Sequence, residues 1–534
     1  HGELDDDALN ASLAAMVAAH DALRTVFTQV GGRPVASVRA TLAVPVGRVD
    51  LRHLDAAGAA RQCGPLAAED GARPFDLEHG PLLRFTRFDL PDDEHRLQVA
   101  VHHIVFDGRS IGLFCRELID QYRSRTGGPA PRRAIGAGAG VGYGDWLRWR
   151  ATRDDGPGLA FWRRHLDGCQ TMLEMPTDYQ RPAVRSFRGA VSRLAVPARL
   201  NDTLAAFNRR YGATSFMTLF AVFNLLLYRH SGQRDLLLAC PAANREHPAA
   251  AGTIGLFANT MVMRTRLDGA DTFAALLAQV RASSLACLEH QSFPFEKLVE
   301  ALQPERGAGR APLVQAMFVF QEKLYRGAID DRLHCAVYED GNDDAKYELT
   351  LEVQDREEGP ELRLSYNTDL YAQGSAERLL RQYLLLLEQV LDDAGRALGA
   401  YDLVGAADLA LLTHWNATSD GAAPDTVMAL FERQAAATPD APALASWDRG
   451  LTYAELERQA NQLAHHLVAA GAGAGQWVGV HLEPSADLIV TLLAILKAGS
   501  AYVPLDPNFP AERLADIIAD AGLALIATQR SHLA

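Results

Sequence analysis

The segment His102-His103-Ile104-Val105-Phe106-Asp107-Gly108 sets two imidazoles just ahead of an aspartate and a glycine. An unperturbed imidazole titrates near about 6.5, so it can take or give a proton at neutral pH. With 17 histidines in 534 residues, this spacing arises by chance in only a few chains per thousand, as a rough order of magnitude. The competing reading is a satisfied histidine pair that caps a strand. The chain carries its own contrast in His465-His466, which lies inside a helical pattern with no Asp-Gly behind it and is expected on a solvated helix face. No Glu, Asp or further His stands at zinc-ligand spacing around His102 and His103, so no metal site is expected there. A phosphate-cradling Gly-x-x-x-x-Gly-Lys-Ser/Thr loop and a Gly-x-Ser-x-Gly nucleophile elbow are both absent.

The elements around this segment explain how it would be held. Leu97–Val101 alternates with period two, so Leu97, Val99, Val101 and His103 share one face and His102 points to the other. Asp107-Gly108 then turns the chain, with Gly108 expected to permit the turn and Ser110 to cap the next helix. Ile111, Phe114, Cys115, Leu118, Ile119 and Tyr122 follow at helical spacing. His103 would thus project from a strand end beside a helix start.

The remainder of the chain alternates helical and strand patterns, which predicts an α/β or α+β architecture. A helix is expected at Ala8–Leu23, a glycine-rich loop at Gly136–Gly144, a strand at Ala190–Val196 and an apolar helix at Ser215–Tyr228. The expected divisions are residues 1–176, 177–403, a linker at 404–426 and a final βα unit at 427–534. That unit should contain a helix at Tyr453–Ala470, a strand at Val478–Leu482, a helix at Ala486–Gly499 and a strand at Ala501–Pro504.

Composition narrows the function class. A hydrophobic share of 48% with 22% charged residues is globular and excludes a disordered chain. Lys plus Arg total 52 against 66 Asp plus Glu, a net charge of −14, which argues against binding a nucleic-acid backbone. The six cysteines form no Cys-x-x-Cys pair, so reduced thiols and a cytoplasmic location are expected. The most apolar stretches, Phe216–Tyr228 and Leu488–Leu496, fall short of the about 20 residues that span a bilayer, and no signal peptide is evident. The opening on His1 and the close at Ala534 suggest a piece of something longer.

His102-His103-Ile-Val-Phe-Asp107-Gly108 resembles the signature of nonribosomal peptide synthetase condensation domains, relatives of chloramphenicol acetyltransferase. Further segments are similar to that family in order: His20-Asp-Ala-Leu-Arg24-Thr-Val-Phe27, Tyr143-Gly-Asp-Trp146, Ile254-Gly-Leu-Phe-Ala-Asn259-Thr260 ending in Arg264, His290-Gln-Ser-Phe-Pro-Phe-Glu296 and Tyr366-Asn-Thr-Asp-Leu370. Leu451–Leu456 and Leu496–Pro507 resemble the start of an adenylation domain.

The resemblance implies two acetyltransferase-like lobes in a V, followed by a partial α/β adenylation subdomain. It implies amide formation, in which the amine of an acceptor aminoacyl group attacks a donor thioester. Both groups ride on the 4'-phosphopantetheine arms of donor and acceptor carrier domains, and no tightly bound cofactor, nucleic acid or membrane is implied. His103 matches the catalytic histidine, with His102, Asp107 and Gly108 in support. Asp107 is expected to pair with an arginine, for which Arg24 is the candidate. Asn259, Arg109 and Ser110 are expected along the substrate tunnel. Arg109 stands where the family often has Trp, and Ala19 where an early Arg is usual. The family's first motif is not found, and the tail stops before the adenylation phosphate loop, so no amino-acid activation is expected. The rival reading is a non-catalytic recruiting domain of the same fold, which usually lacks the first histidine.

Overall fold

A computed structural model describes residues 1–534 apart from 130–141, 305–306, 308, 322–323, 339–343, 355–359, 419–424, 448 and 534. Residues 136–141 of the expected glycine-rich loop therefore lie outside the described residues. The chain forms two compact units, His1–Leu411 and Leu412–Ala534, and the division in the sequence falls within the expected linker.

The larger unit holds two main cores, with smaller apolar clusters beside them. In the first, strands Val46–Asp50, Leu83–Asp89 and His95–Val101 form a sheet, parallel between the first two and antiparallel between the last two. The register Leu83↔Val101 and Phe85↔Val99 stacks apolar partners on one face, as cross-strand pairing favours. Helix Asp6–Ala19 lays Leu9, Leu13, Met16 and Val17 into this core, and helix Gly108–Arg125 adds Phe114 and Tyr122. The first helix is capped by Asp5, whose carboxylate accepts from the Ala8 amide at 2.9 Å.

The second core surrounds a six-stranded sheet in the order Gly189–Ala195, Glu361–Asn367, Leu349–Gln354, Ala316–Gln321, Asp235–Ala242, Asn259–Arg266. Strand Asp235–Ala242 is an almost unbroken apolar run because both its faces are covered. Helix Ser215–Ser231 is buried around its whole circumference from Met217 to Leu227, and a helix apolar on every side needs such a place. It ends on Gly232, whose φ of 70° closes the helix in the left-handed region.

The packing crosses the expected division at residue 176 in both directions. Trp162, Leu166, Leu173 and Met175 fall within residues 1–176 yet pack in the second core. Residues of the second block also cross back. The hairpin Arg326–Ala328/His334–Ala336 lies against helix Gly108–Arg125, where Arg123 donates to the Ala328 carbonyl at 2.6 Å and to Tyr325 Oη at 3.0 Å. Leu333 enters the first core.

In the smaller unit, parallel strands Trp477–His481, Ala501–Pro504 and Leu525–Thr528 pair around the first of them. Helices Tyr453–Ala469 and Ala486–Lys497 fall within a residue or two of their expected bounds. His465 and His466 are exposed on the first of these helices. Among the described residues, no single helix is long and apolar enough to cross a membrane.

Trp162 is 2% exposed, and its indole N–H donates to the His290 carbonyl at 3.2 Å. Trp162→Ala should cost about 3–5 kcal/mol, measured as a lower denaturation midpoint with an unchanged slope.

Candidate active site

Strand His95–Val101 ends where the His102 amide donates to the Leu82 carbonyl at 2.9 Å. A single 3-10 turn, His103–Val105, follows. The His102 ring caps it, with Nδ1 accepting from the Ile104 amide at 3.1 Å. That bond needs a lone pair on Nδ1, so His102 is neutral and carries its proton on Nε2. Burial lowers its pKa, and the neighbouring His103 lowers it further. His103, first in the turn, is exposed while His102 is half-buried. One histidine thus shapes the turn, and the other presents an open imidazole.

Asp107 is 2% exposed and is the N-cap of helix Gly108–Arg125. Its Oδ1 accepts from the Ser110 amide at 2.8 Å and the Ser110 hydroxyl at 2.7 Å. Oδ1 also accepts from Arg245 Nη2 at 2.9 Å, and Oδ2 takes the Phe257 amide at 3.0 Å and the Ala258 amide at 3.2 Å. The carboxylate is therefore bound from both lobes and is not placed to act as a base.

Arg245 reaches it because Asn244, with φ 51°, turns the chain just after strand Asp235–Ala242. Asn tolerates that left-handed conformation better than most residues. Arg245 Nη1 donates to the carbonyls of Ala250 at 2.5 Å and Thr253 at 2.6 Å, and its Cζ lies 4.1 Å from the centre of the Phe257 ring. Burial lowers the Arg245 pKa, and Asp107 opposes that shift. A buried cation of this kind is stable only with its partners in place.

The same junction packs aromatic side chains. The Tyr143 hydroxyl donates to the Leu256 carbonyl at 2.6 Å, and burial pushes its pKa up to about 12. Gly255 faces this ring so closely that an added Cβ would stand 2.4 Å from Tyr143 Cδ2.

Several sequence expectations are corrected. Arg24 does not pair with Asp107: it bonds Asp21 at 2.7 Å and the carbonyls of Val17, Arg39 and Ala40, while Arg245 takes the expected role. Ser110 neither caps the helix nor lines a tunnel. It is fully buried, and its Oγ accepts from Gly255 N and Arg245 Nη2. Asn259 spends its amide on backbone, donating to Gln291 and Phe293 carbonyls at 2.7 and 2.6 Å and accepting from the Phe295 amide at 3.1 Å. It staples the His290–Glu296 segment and is not available to substrate. Gly108 opens the helix without a left-handed φ, and a Cβ there would meet open space. Arg109 is exposed on the first helical turn. Arg245 escapes sequence reasoning because its signal is faint: a lone cation just beyond a buried strand, 138 residues from its partner.

Comparison with known proteins gives a consistent neighbourhood. Residues 1–413 match the condensation domain family and residues 431–534 match the AMP-binding enzyme family. The chain is 37% identical over 99% of its length to chondramide synthase cmdD of Chondromyces crocatus, covering 14% of that protein. It is 39% identical over 98% of its length to phosphinothricin tripeptide synthetase PhsC of Streptomyces viridochromogenes, covering 49% of it. The chain therefore spans about half the length or less of these curated relatives. Among solved structures it resembles holo-AB3403, a four-domain nonribosomal peptide synthetase bound to AMP and glycine. That match has a TM-score of 0.81 and 25% identity, over 98% of this chain and 40% of the other. It also resembles the X-domain from teicoplanin biosynthesis, with a TM-score of 0.64 and 28% identity over 75% of this chain and 90% of the other.

Removing one partner of the buried Asp107–Arg245 pair leaves the other uncompensated. Arg245→Ala should therefore cost about 3–5 kcal/mol in unfolding free energy. Gly255→Ala should also destabilise by forcing the Tyr143 ring aside, read as a lower melting temperature, and Tyr143→Ala in the same chain should recover part of that loss.

Proposed function

The chain belongs to the condensation domain family, with the opening of an AMP-binding enzyme behind it, and on that premise we propose that residues 1–411 join two carrier-bound acyl groups through an amide bond. The observation that supports this most directly is the exposed His103 imidazole on a turn whose base is tied to both lobes. The acceptor is an aminoacyl thioester whose α-amine titrates near about 7.7–8.0 and is partly uncharged at neutral pH. Its lone pair attacks the donor thioester carbon, a C–N bond forms, and the carbonyl π pair moves to oxygen. His103 takes a proton from the resulting ammonium. When the carbonyl re-forms, the C–S bond breaks and the leaving pantetheine thiolate recovers that proton. General-base help of this kind contributes about 10²–10⁴-fold, and holding the amine in line adds an orientational share.

In this reading the 4'-phosphopantetheine arms of donor and acceptor carrier domains bring the substrates, and the adjoining adenylation segment follows along the chain. No activation step is assigned to residues 412–534. A non-catalytic recruiting role is the alternative, and the X-domain from teicoplanin biosynthesis, of similar fold, is known in complex with OxyB. The retained His102 cap and open His103 ring favour catalysis, because a recruiting surface needs neither.

His103→Ala should lower amide formation between two loaded carrier domains by at least about 10²-fold with an unchanged melting temperature. Mass spectrometry of the pantetheine arms measures the transfer, and a rate near that of the unaltered chain would refute the proposal.

A further inference from the structure

His102 does not stand alone behind the turn that carries His103. The Phe75 ring, in the connection between helix Ala56–Ala72 and strand Leu83–Asp89, meets it edge to face, with centroids 6.0 Å apart and planes at 81°. The Arg84 guanidinium caps Phe75 at 4.2 Å from the ring centre. Arg84 is itself fixed, donating to the Arg73 carbonyl at 2.9 Å and lying 3.6 Å from the Asp70 carboxylate. Arginine, phenyl and imidazole thus form a short chain of contacts running from helix Ala56–Ala72 to the turn.

We propose that Phe75, held by Arg84, is a positioning residue of the condensation centre: it keeps the His102 ring turned to the Ile104 amide and so fixes the turn that presents His103. This inference rests on the function proposed above for its rate measurements, but not for its structural ones. A free imidazole rotates about its side-chain bonds, and Nδ1 meets the amide in only one orientation. The edge-to-face contact selects that orientation and excludes water from one side of the ring.

Protonation of His102 would convert Nδ1 into a donor facing another donor, and the cap would be lost. Burial of the ring and the neighbouring His103 oppose that charge, as does the Ile104 amide aimed at Nδ1. Beyond Phe75 stand the Arg84 cation of the neighbouring strand and the Asp70 carboxylate of the helix paired behind it, whose opposite charges offset each other. The folded chain therefore binds this proton less readily than the unfolded chain does. The cap survives as pH falls through about 6.5, the ordinary histidine value, and fails only below it. Weakening the Phe75 contact moves that failure to higher pH.

The test uses the whole 534-residue chain with isotopically labelled histidine, the His102 resonance being identified by its absence in His102→Gln. In Phe75→Leu the His102 titration should move up toward the ordinary histidine value and the share of its Nε2–H tautomer should fall. The rate of amide formation at about pH 6 relative to about pH 8 should drop by about threefold or more, and Phe75→Tyr should restore both readouts. Arg84→Met, which leaves the phenyl ring in place, supplies an independent arm with a smaller shift in the same direction. An unchanged His102 titration in both Phe75→Leu and Arg84→Met overturns the inference even if amide formation is confirmed. A shifted titration with no amide formation by the unaltered chain would instead sink the condensation reading and leave the positioning contact standing.

Discussion

One carboxylate ties the two lobes together at the point where the chemistry is expected. Asp107 accepts from its own helix through the Ser110 amide and hydroxyl, and from the other lobe through Arg245 and the Phe257 and Ala258 amides. A buried carboxylate with this many donors is satisfied, and each donor it holds is fixed in return. The short span from His103 to Asp107 contains a complete 3-10 turn, which leaves little freedom for the ring to drift. His103 is thereby referenced to both halves of the larger unit.

Arginine suits this junction for a geometric reason. Its planar fork meets the carboxylate and the Ser110 hydroxyl with one nitrogen and two loop carbonyls with the other, while its face lies on Phe257. A lysine offers no such plane. The Nε hydrogen has no hydrogen-bond partner among the described residues, and the aromatic face beneath the guanidinium offsets part of that cost.

Most of the secondary structure was legible because it rests on local patterning. The period-two run before His102, the helical run after Asp107 and the all-round apolar helix at Ser215–Ser231 each report their own surroundings. The histidine pair was legible for the same reason, since its turn is built from neighbours. Partnership across the lobes was not. Order along the chain points to Arg24, but a guanidinium finds whichever carboxylate folding brings near, and for Arg24 that is Asp21, three residues away. Asn259 and Ser110 mislead in another way: both carry polar groups suited to substrate, and both are committed to buried backbone. The place of Trp162 and Leu166 in the second core was not legible either, because they belong to a segment whose sequence does not disclose which core it faces.

The crossing of contacts over the lobe boundary has a consequence for recombination between synthetases. A splice placed near residue 155 would separate Asp107, Ser110 and Tyr143 from the loop at 245–258 that answers each of them. Two parental halves with individually intact cores would then meet at a mismatched junction. Exchange units that keep both sides from one parent preserve the match, so the natural cassette here is the whole of residues 1–411.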